Sequence, residues 1–251
     1  MDRENRDMRH PLEEEFGLSG WDILNAIKKR FRLLVAVRGA IAEEHVAGHL
    51  RAVQSQGLVD GFEEFDEDGF PDIRVDVDGK SYLMECKTGK RKTTGKKVKV
   101  TRVSVDFQRT RNPQDTPWER YYTAEEFDIL AVWVPKDANH PDTFWFAPTN
   151  GLELHKDHGE SYKRLASGVT IVPSDPGDVW TNDLPKLLQR LPGRTLEDIQ
   201  EWRRLSNERR AKRRREQAKK RADAKKVKKE KEAMALSPPQ SETGQAAESE
   251  T

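Results

Sequence analysis

The sequence predicts a mixed α/β domain, a central β-sheet flanked by helices, with a basic helix or arm at its C-terminal end. Three observations predict it. Asp78-Gly79 stands between two alternating segments, Ile73 to Val77 and Lys80 to Lys87, and so marks a two-residue β-hairpin. Phe127 to Val134 is a nearly continuous apolar run, as expected of a strand covered on both faces. Val37 to Val53 repeats its apolar residues at helical spacing.

Taken along the chain, residues 1–18 are highly charged and hold no apolar signal-like core, which predicts a flexible N-terminus and no export. Ser19-Gly20-Trp21-Asp22 reads as a capping box that opens a helix through Ile23, Leu24, Ile27, Phe31 and Leu34, packed on the sheet. In the next helix Gly39, Glu43, Val46, Leu50 and Val53 form one stripe. Glu43 is its odd member, since burying an unpaired charge is costly and calls for a partner. Glu44, about 100° further round, should face water. Beyond the hairpin, Val103, Val105 and Phe107 alternate with Arg102, Ser104, Asp106 and Gln108, which predicts a third strand. Trp118 to Tyr122 reads as aromatic packing before the core strand. Phe144 to Ala147 and Val169 to Val172 are two further short strands, and Trp180 to Leu191 is an amphipathic helix with Pro185 in its first turn. The expected organisation is therefore a domain over 19–195, a basic helical arm over 196–236 and a disordered tail over 237–251.

The hairpin turn fixes which side chains meet. If Val77 pairs with Lys80, then Asp76 pairs with Ser81, Val75 with Tyr82, Arg74 with Leu83, Ile73 with Met84 and Asp72 with Glu85. Lys87 shares the Glu85 face, because side chains alternate along a strand, while Ile73, Val75, Tyr82, Met84 and Cys86 take the core face. Two carboxylates directly across a ladder have β-carbons about 5 Å apart and repel unless a positive charge intervenes. A divalent cation with a preference for hard oxygen ligands would supply it. Lys87 could then hold an attacking water while the metal polarises a phosphoryl oxygen, which is the chemistry of phosphodiester hydrolysis.

Pro71-Asp72, twelve intervening residues and then Glu85-Cys86-Lys87 resemble the signature of the PD-(D/E)xK nucleases, the restriction-endonuclease-like superfamily. Glu85-Cys86-Lys87 is the chain's one Glu-x-Lys. The resemblance implies a restriction-endonuclease-like fold and a Mg²⁺- or Mn²⁺-dependent nuclease. It implies Asp72, Glu85 and the backbone carbonyl of Cys86 as metal ligands, with Lys87 as the residue that positions and activates water. Gly39 and Glu43 match a Gly-x-x-x-Glu pattern found on the preceding helix in such nucleases, so Glu43 would complete or adjust the metal site; the alternative is pairing with a nearby basic residue. Some relatives carry Gln-x-x-x-Tyr after the lysine, but here Gln108 is followed four residues on by Asn112.

Lys87 to Arg102 contains eight basic residues and no acid. Lys90, Arg91, Lys92, Lys96 and Lys97, spaced by Thr and Gly, suit a flexible loop that grips phosphates through charge. Gln108 is a further candidate for substrate contact. Arg109 and Arg111 could reach phosphate or pair with acids such as Asp106. From Glu201 to Ala233 there are sixteen Lys or Arg against six Asp or Glu, without a sustained heptad, which suits a nucleic-acid-binding helix or a solvated charge run.

Net charge is only +1, so the basic arm accompanies a mildly acidic body. The single Cys86 excludes an intrachain disulfide framework and fits a reducing cytoplasm. His45 with His49, and His155 with His158, lack the cysteine or carboxylate pattern of a zinc site. No stretch is long and apolar enough to span a bilayer as a helix. The expectation is a cytoplasmic, metal-dependent DNA endonuclease, with RNA and a homodimer left open; the alternative is a catalytically inactive nuclease-fold module that binds nucleic acid.

Overall fold

A computed structural model of the chain describes residues 10–67, 69–94, 100–109 and 116–235. Lys96, Lys97 and Arg111, and the expected tail over 237–251, lie outside the described residues. The chain forms two compact units, Met1–Glu197 and Asp198–Thr251.

The first unit is a mixed α/β fold around a seven-stranded sheet. Its helices are α1 (Pro11–Phe16), α2 (Gly20–Lys28), α3 (Phe31–Ser55), α4 (Gly159–Tyr162) and α5 (Leu184–Leu188). Its strands are β1 (Gly61–Glu64), β2 (Ile73–Val77), β3 (Lys80–Thr94), β4 (Val100–Asp106), β5 (Ile129–Val134), β6 (Thr143–Pro148) and β7 (Gly168–Ile171). The sheet runs β1-β2-β3-β4-β7, while β5 lies parallel to β3 and carries β6 antiparallel on its far side.

The β2–β3 hairpin has the expected register, from Val77 opposite Lys80 to Ile73 opposite Met84. Asp78 and Gly79 both have positive φ, 51° and 71°, which is what a tight hairpin turn requires and what Asp-Gly supplies at low cost. Ile73, Val75, Tyr82, Met84 and Cys86 face a core shared with Val46, Leu50 and Val53 of α3 and Leu184 of α5. On the opposite face, Leu83, Leu130, Val132, Val103 and Val105 are buried along with Phe107, Tyr122, Phe127 and Leu165. The two-sided burial of β5 follows: all six of its residues are buried.

Through Thr94 the basic run after Lys87 is strand, not the expected flexible loop. β3 continues to Thr94 and pairs with β4 from Gly89 opposite Val105 to Thr94 opposite Val100. β-branched Thr88, Thr93 and Thr94 favour this extension, and Gly89 serves packing. A β-carbon there would lie 2.6 Å from Val103 Cγ1 and 2.9 Å from Val132 Cγ1.

Other expectations also change. Ser19 caps α2 by accepting from the Asp22 amide, as the capping box implies, but the helix does not run on to Leu34. It stops at Lys28, and Arg30 is extended, with φ −119° and ψ 104°, before α3 begins. Ile23, Ile27, Phe31 and Leu34 keep one helical phase across this break, so periodicity alone cannot distinguish one helix from two. Nor does α2 pack on the sheet; it lies against α3 and buries no residue fully. The N-terminal segment is not wholly irregular, because His10 caps α1 in a reciprocal arrangement with Glu13. The helix expected over 180–191 contracts to α5, whose N-cap is Asp183 and whose first turn holds Pro185.

The described residues of the second unit are the greater part of a single helix, α6 (Leu196–Ala235). Its exposed ion pairs, Arg204 with Glu201 at 2.7 Å and with Glu208 at 2.6 Å, lie three and four residues apart, the spacing that supports an exposed helix. Among the described residues, no helix is long and apolar enough to cross a membrane.

Candidate active site

β3 changes partners where the signature falls. Its ladder with β2 ends at Met84, its ladder with β4 starts at Gly89, and Glu85 to Thr88 are paired with β5. In that interval side chains take over the backbone of Cys86. Its amide donates to Asp72 Oδ2 at 2.6 Å, and its carbonyl accepts from Lys87 Nζ at 3.0 Å. Asp72 stands one residue before β2, at the position that continues the register opposite Glu85, and its own carbonyl accepts from the Phe65 amide at 2.9 Å. The sequence-predicted trio is thus brought together at the Cys86 backbone, which Asp72 and Lys87 bond directly while Glu85 joins through Lys87.

Glu85 is 5 % exposed, and its Oε1 accepts from both Lys87 Nζ and the Tyr122 hydroxyl, each at 2.5 Å. Burial raises the Asp72 carboxyl, and Glu85 adds to this against the opposing pull of Lys87 and the Cys86 amide, so its pKa is pushed up to about 8. Burial works against the charge of Lys87, yet Glu85, Tyr122 and Asp72 outweigh it and hold the ammonium well above the usual lysine range. Cys86 is buried, and its thiol is raised well above the ordinary value by desolvation and the nearby carboxylates, so it is an unreactive core side chain.

Glu43 is half-buried on α3, on the expected stripe, while Glu44 is exposed and pairs with Arg51 at 3.2 Å. Burial raises the Glu43 carboxyl; Lys87 opposes this, and Glu85, Asp66 and Glu64 reinforce it. Glu43 therefore senses the same charges as the trio. Among the described residues, no three His, Cys, Asp or Glu side chains are grouped closely enough to hold a metal ion. The oxygen donors gathered here are two carboxylates and a backbone carbonyl. Such hard ligands suit Mg²⁺ or Mn²⁺.

Tyr122 is the residue that sequence reasoning placed only in the core. It does pack there, stacked on Phe107 with centroids 5.1 Å apart and edge-on to Phe127 at 5.5 Å. That packing aims its hydroxyl at Glu85. Burial, opposed by Lys87, and the neighbouring Glu85 carboxylate push its phenol upward. A general signal existed, since a buried tyrosine needs a hydrogen-bond partner, but nothing local identifies the partner as a residue on another strand.

The basic candidates separate. Lys90 and Lys92 are exposed on β3. Arg91 points to the sheet's other face and donates to the carbonyls of Pro135 and Pro141 and to Thr143 Oγ1, supporting the loop between β5 and β6. Arg109 donates to the Glu119 carbonyl at 2.7 Å, pairs with Glu126 at 2.6 Å and lies 4.6 Å from the Tyr122 ring centroid. It fastens the segment that carries Tyr122. Arg109 has Glu126, not Asp106, as the acid that pairs with it. Gln108 is half-buried next to it.

No family model matches the chain, and no curated protein matches it. Among solved structures, a bacterial homing endonuclease is similar at 21 % identity, over 56 % of this chain and 79 % of its own, with a TM-score of 0.33.

Proposed function

We propose that the chain is a metal-dependent nuclease of the PD-(D/E)xK type that hydrolyses DNA phosphodiester bonds. The observation that carries this reading is the convergence of Asp72 and Lys87 on the Cys86 backbone, with Glu85 accepting from Lys87, at the one interval where β3 leaves β2 and has not yet met β4. Asp72, Glu85 and the Cys86 carbonyl would hold Mg²⁺ or Mn²⁺, with Glu43 adjusting the charge from α3. When bound, the ion would polarise a phosphoryl oxygen and make the attacking water more acidic. Lys87 Nζ, now held by Glu85 and the Cys86 carbonyl, would turn one donor to that water and hold it in line with the phosphorus. Tyr122 fixes Glu85 Oε1, so that the carboxylate presents its other oxygen. Lys90 and Lys92, exposed further along β3 on the face opposite Lys87, would neutralise phosphates of a substrate that wraps this edge of the sheet, and the cationic side chains of α6 would add affinity through charge.

The test is cleavage of linear and supercoiled DNA, and of RNA, by the full chain with Mg²⁺, Mn²⁺ or a chelator. Cation-dependent cutting that disappears in Asp72→Asn, Glu85→Gln and Lys87→Ala is expected. Undiminished cutting in all three variants would sink the assignment. One observation favours a second reading, a nuclease-fold module that binds without cutting: the Lys87 ammonium already bridges Glu85 and the Cys86 carbonyl, two of the three proposed ligands. Salt-sensitive DNA binding with no cleavage under any divalent cation would select that reading.

A further inference from the structure

We propose that the α1–α2–α3 corner is a self-association surface and that its occupant is the same corner of a second copy of the chain. This does not rest on the nuclease reading. Among the described residues, half of the fourteen large hydrophobic side chains that are exposed fall within residues 12–33, which makes the corner an exception to a surface that otherwise shows such residues singly. Leu12 and Phe16 lie four apart on α1, and Trp21 and Leu24 lie three apart on α2, so each pair shares one helix face. Phe31 opens α3, and Leu33, two residues on, leaves the helix on its other side. Trp21 is 73 % exposed and Phe31 77 %, far beyond what isolated surface residues of this size need. From their fractional exposures Leu12, Phe16, Trp21, Leu24 and Phe31 present on the order of 650 Å², the greater part of the roughly 800 Å² that each partner contributes to a standard protein–protein interface.

Charge indicates what covers the patch. Glu14 and Glu15 are exposed on α1, which is tied to the start of α2 by the Gly20 amide donating to Glu13. Lys28, Lys29, Arg30 and Arg32 are exposed at the other end of α2. Nine helical residues separate the two ends, about 13 Å along the axis. An acidic end, an apolar middle and a basic end on one corner are self-complementary under two-fold rotation: the acidic end of each copy meets the basic end of the other, and the apolar middles meet at the axis. A partner of uniform charge would satisfy one end and be repelled by the other.

The test is sedimentation equilibrium and light scattering on the full chain, stripped of nucleic acid, from low to high micromolar concentration. A monomer–dimer equilibrium is expected. Trp21→Glu with Leu24→Glu should raise the dissociation constant at least about tenfold, since a buried aromatic anchor dominates such an interface. Glu14→Lys with Glu15→Lys, and Lys28→Glu with Lys29→Glu, should each weaken the dimer, and the two reversals combined should restore it. All these side chains are exposed, and unchanged circular dichroism melting of each variant shows that its fold is retained. A monomer at every concentration overturns the proposal. So does a dimer indifferent to these substitutions, or an association that vanishes when bound nucleic acid is removed.

Discussion

At the scale of single residues, the site is built around charges that need one another. On the proposed reading Tyr122 acts through Glu85, so Tyr122→Phe should leave the fold intact and lower divalent-ion affinity or cleavage about 10- to 100-fold, the range that loss of a metal ligand's partner produces; calorimetric titration beside cleavage rates separates the two effects. Asp72 gives a pH signature. Its carboxyl rises from an ordinary 3.8 to about 8 on folding, so its contribution to stability is fully present below about pH 4 and fades as pH rises through about 8. The melting temperature of chelated protein should therefore fall towards pH 8, and Asp72→Asn should flatten that fall. Asp72, Glu85 and Lys87 were legible in the sequence because an Asp-Gly turn fixes register by counting. Tyr122 was not, because 37 residues separate it from Glu85 and only the packing of Phe107 and Phe127 brings them together. The intramolecular partners of Arg91 and Arg109 were hidden for a related reason. Composition reports a positive charge but not which side of a strand it leaves from, nor which carbonyls wait there.

At the scale of elements, β3 organises the fold. Gly89 sits where β3 meets β4 and β5, and Gly89→Ala should cost about 1–3 kcal/mol in chemical denaturation, the usual penalty of overpacking, because Val103 and Val132 leave its β-carbon no room. Strands with strong local signals were readable: the two sides of the hairpin, the apolar β5 and the alternating β4. The extension of β3 through Lys90, Arg91 and Lys92 was not, since a charged Thr/Gly-rich segment becomes strand only when a partner pairs with it. The end of α2 was hidden by a helical phase that continues across Lys29 and Arg30. The short β1 carries too few apolar residues to announce itself, and pairing with β2 alone defines it.

At the scale of the whole molecule, opposite charges are segregated along the chain. The cationic residues from Glu201 to Ala233 all belong to α6, about 60 Å of helix from Leu196 to Ala235, whereas the residues before it have an acidic balance. DNA affinity measured by fluorescence anisotropy should fall linearly in log–log form with salt concentration, and replacing pairs of α6 arginines should make that slope shallower by roughly 0.9 for each phosphate no longer neutralised. A slope unmoved by such changes would leave α6 without a part in binding. β3 contributes to the ladders of β2, β4 and β5 in turn, so none of those pairings can open without disturbing the same strand. Its amides should exchange with deuterated solvent only when the first unit unfolds as one. The amides of Leu83 and Cys86 are exceptions, donating to the carboxylates of Asp128 and Asp72. Exchange of the Cys86 amide should therefore follow the ionisation and occupancy of Asp72, giving a readout of the site from within the backbone.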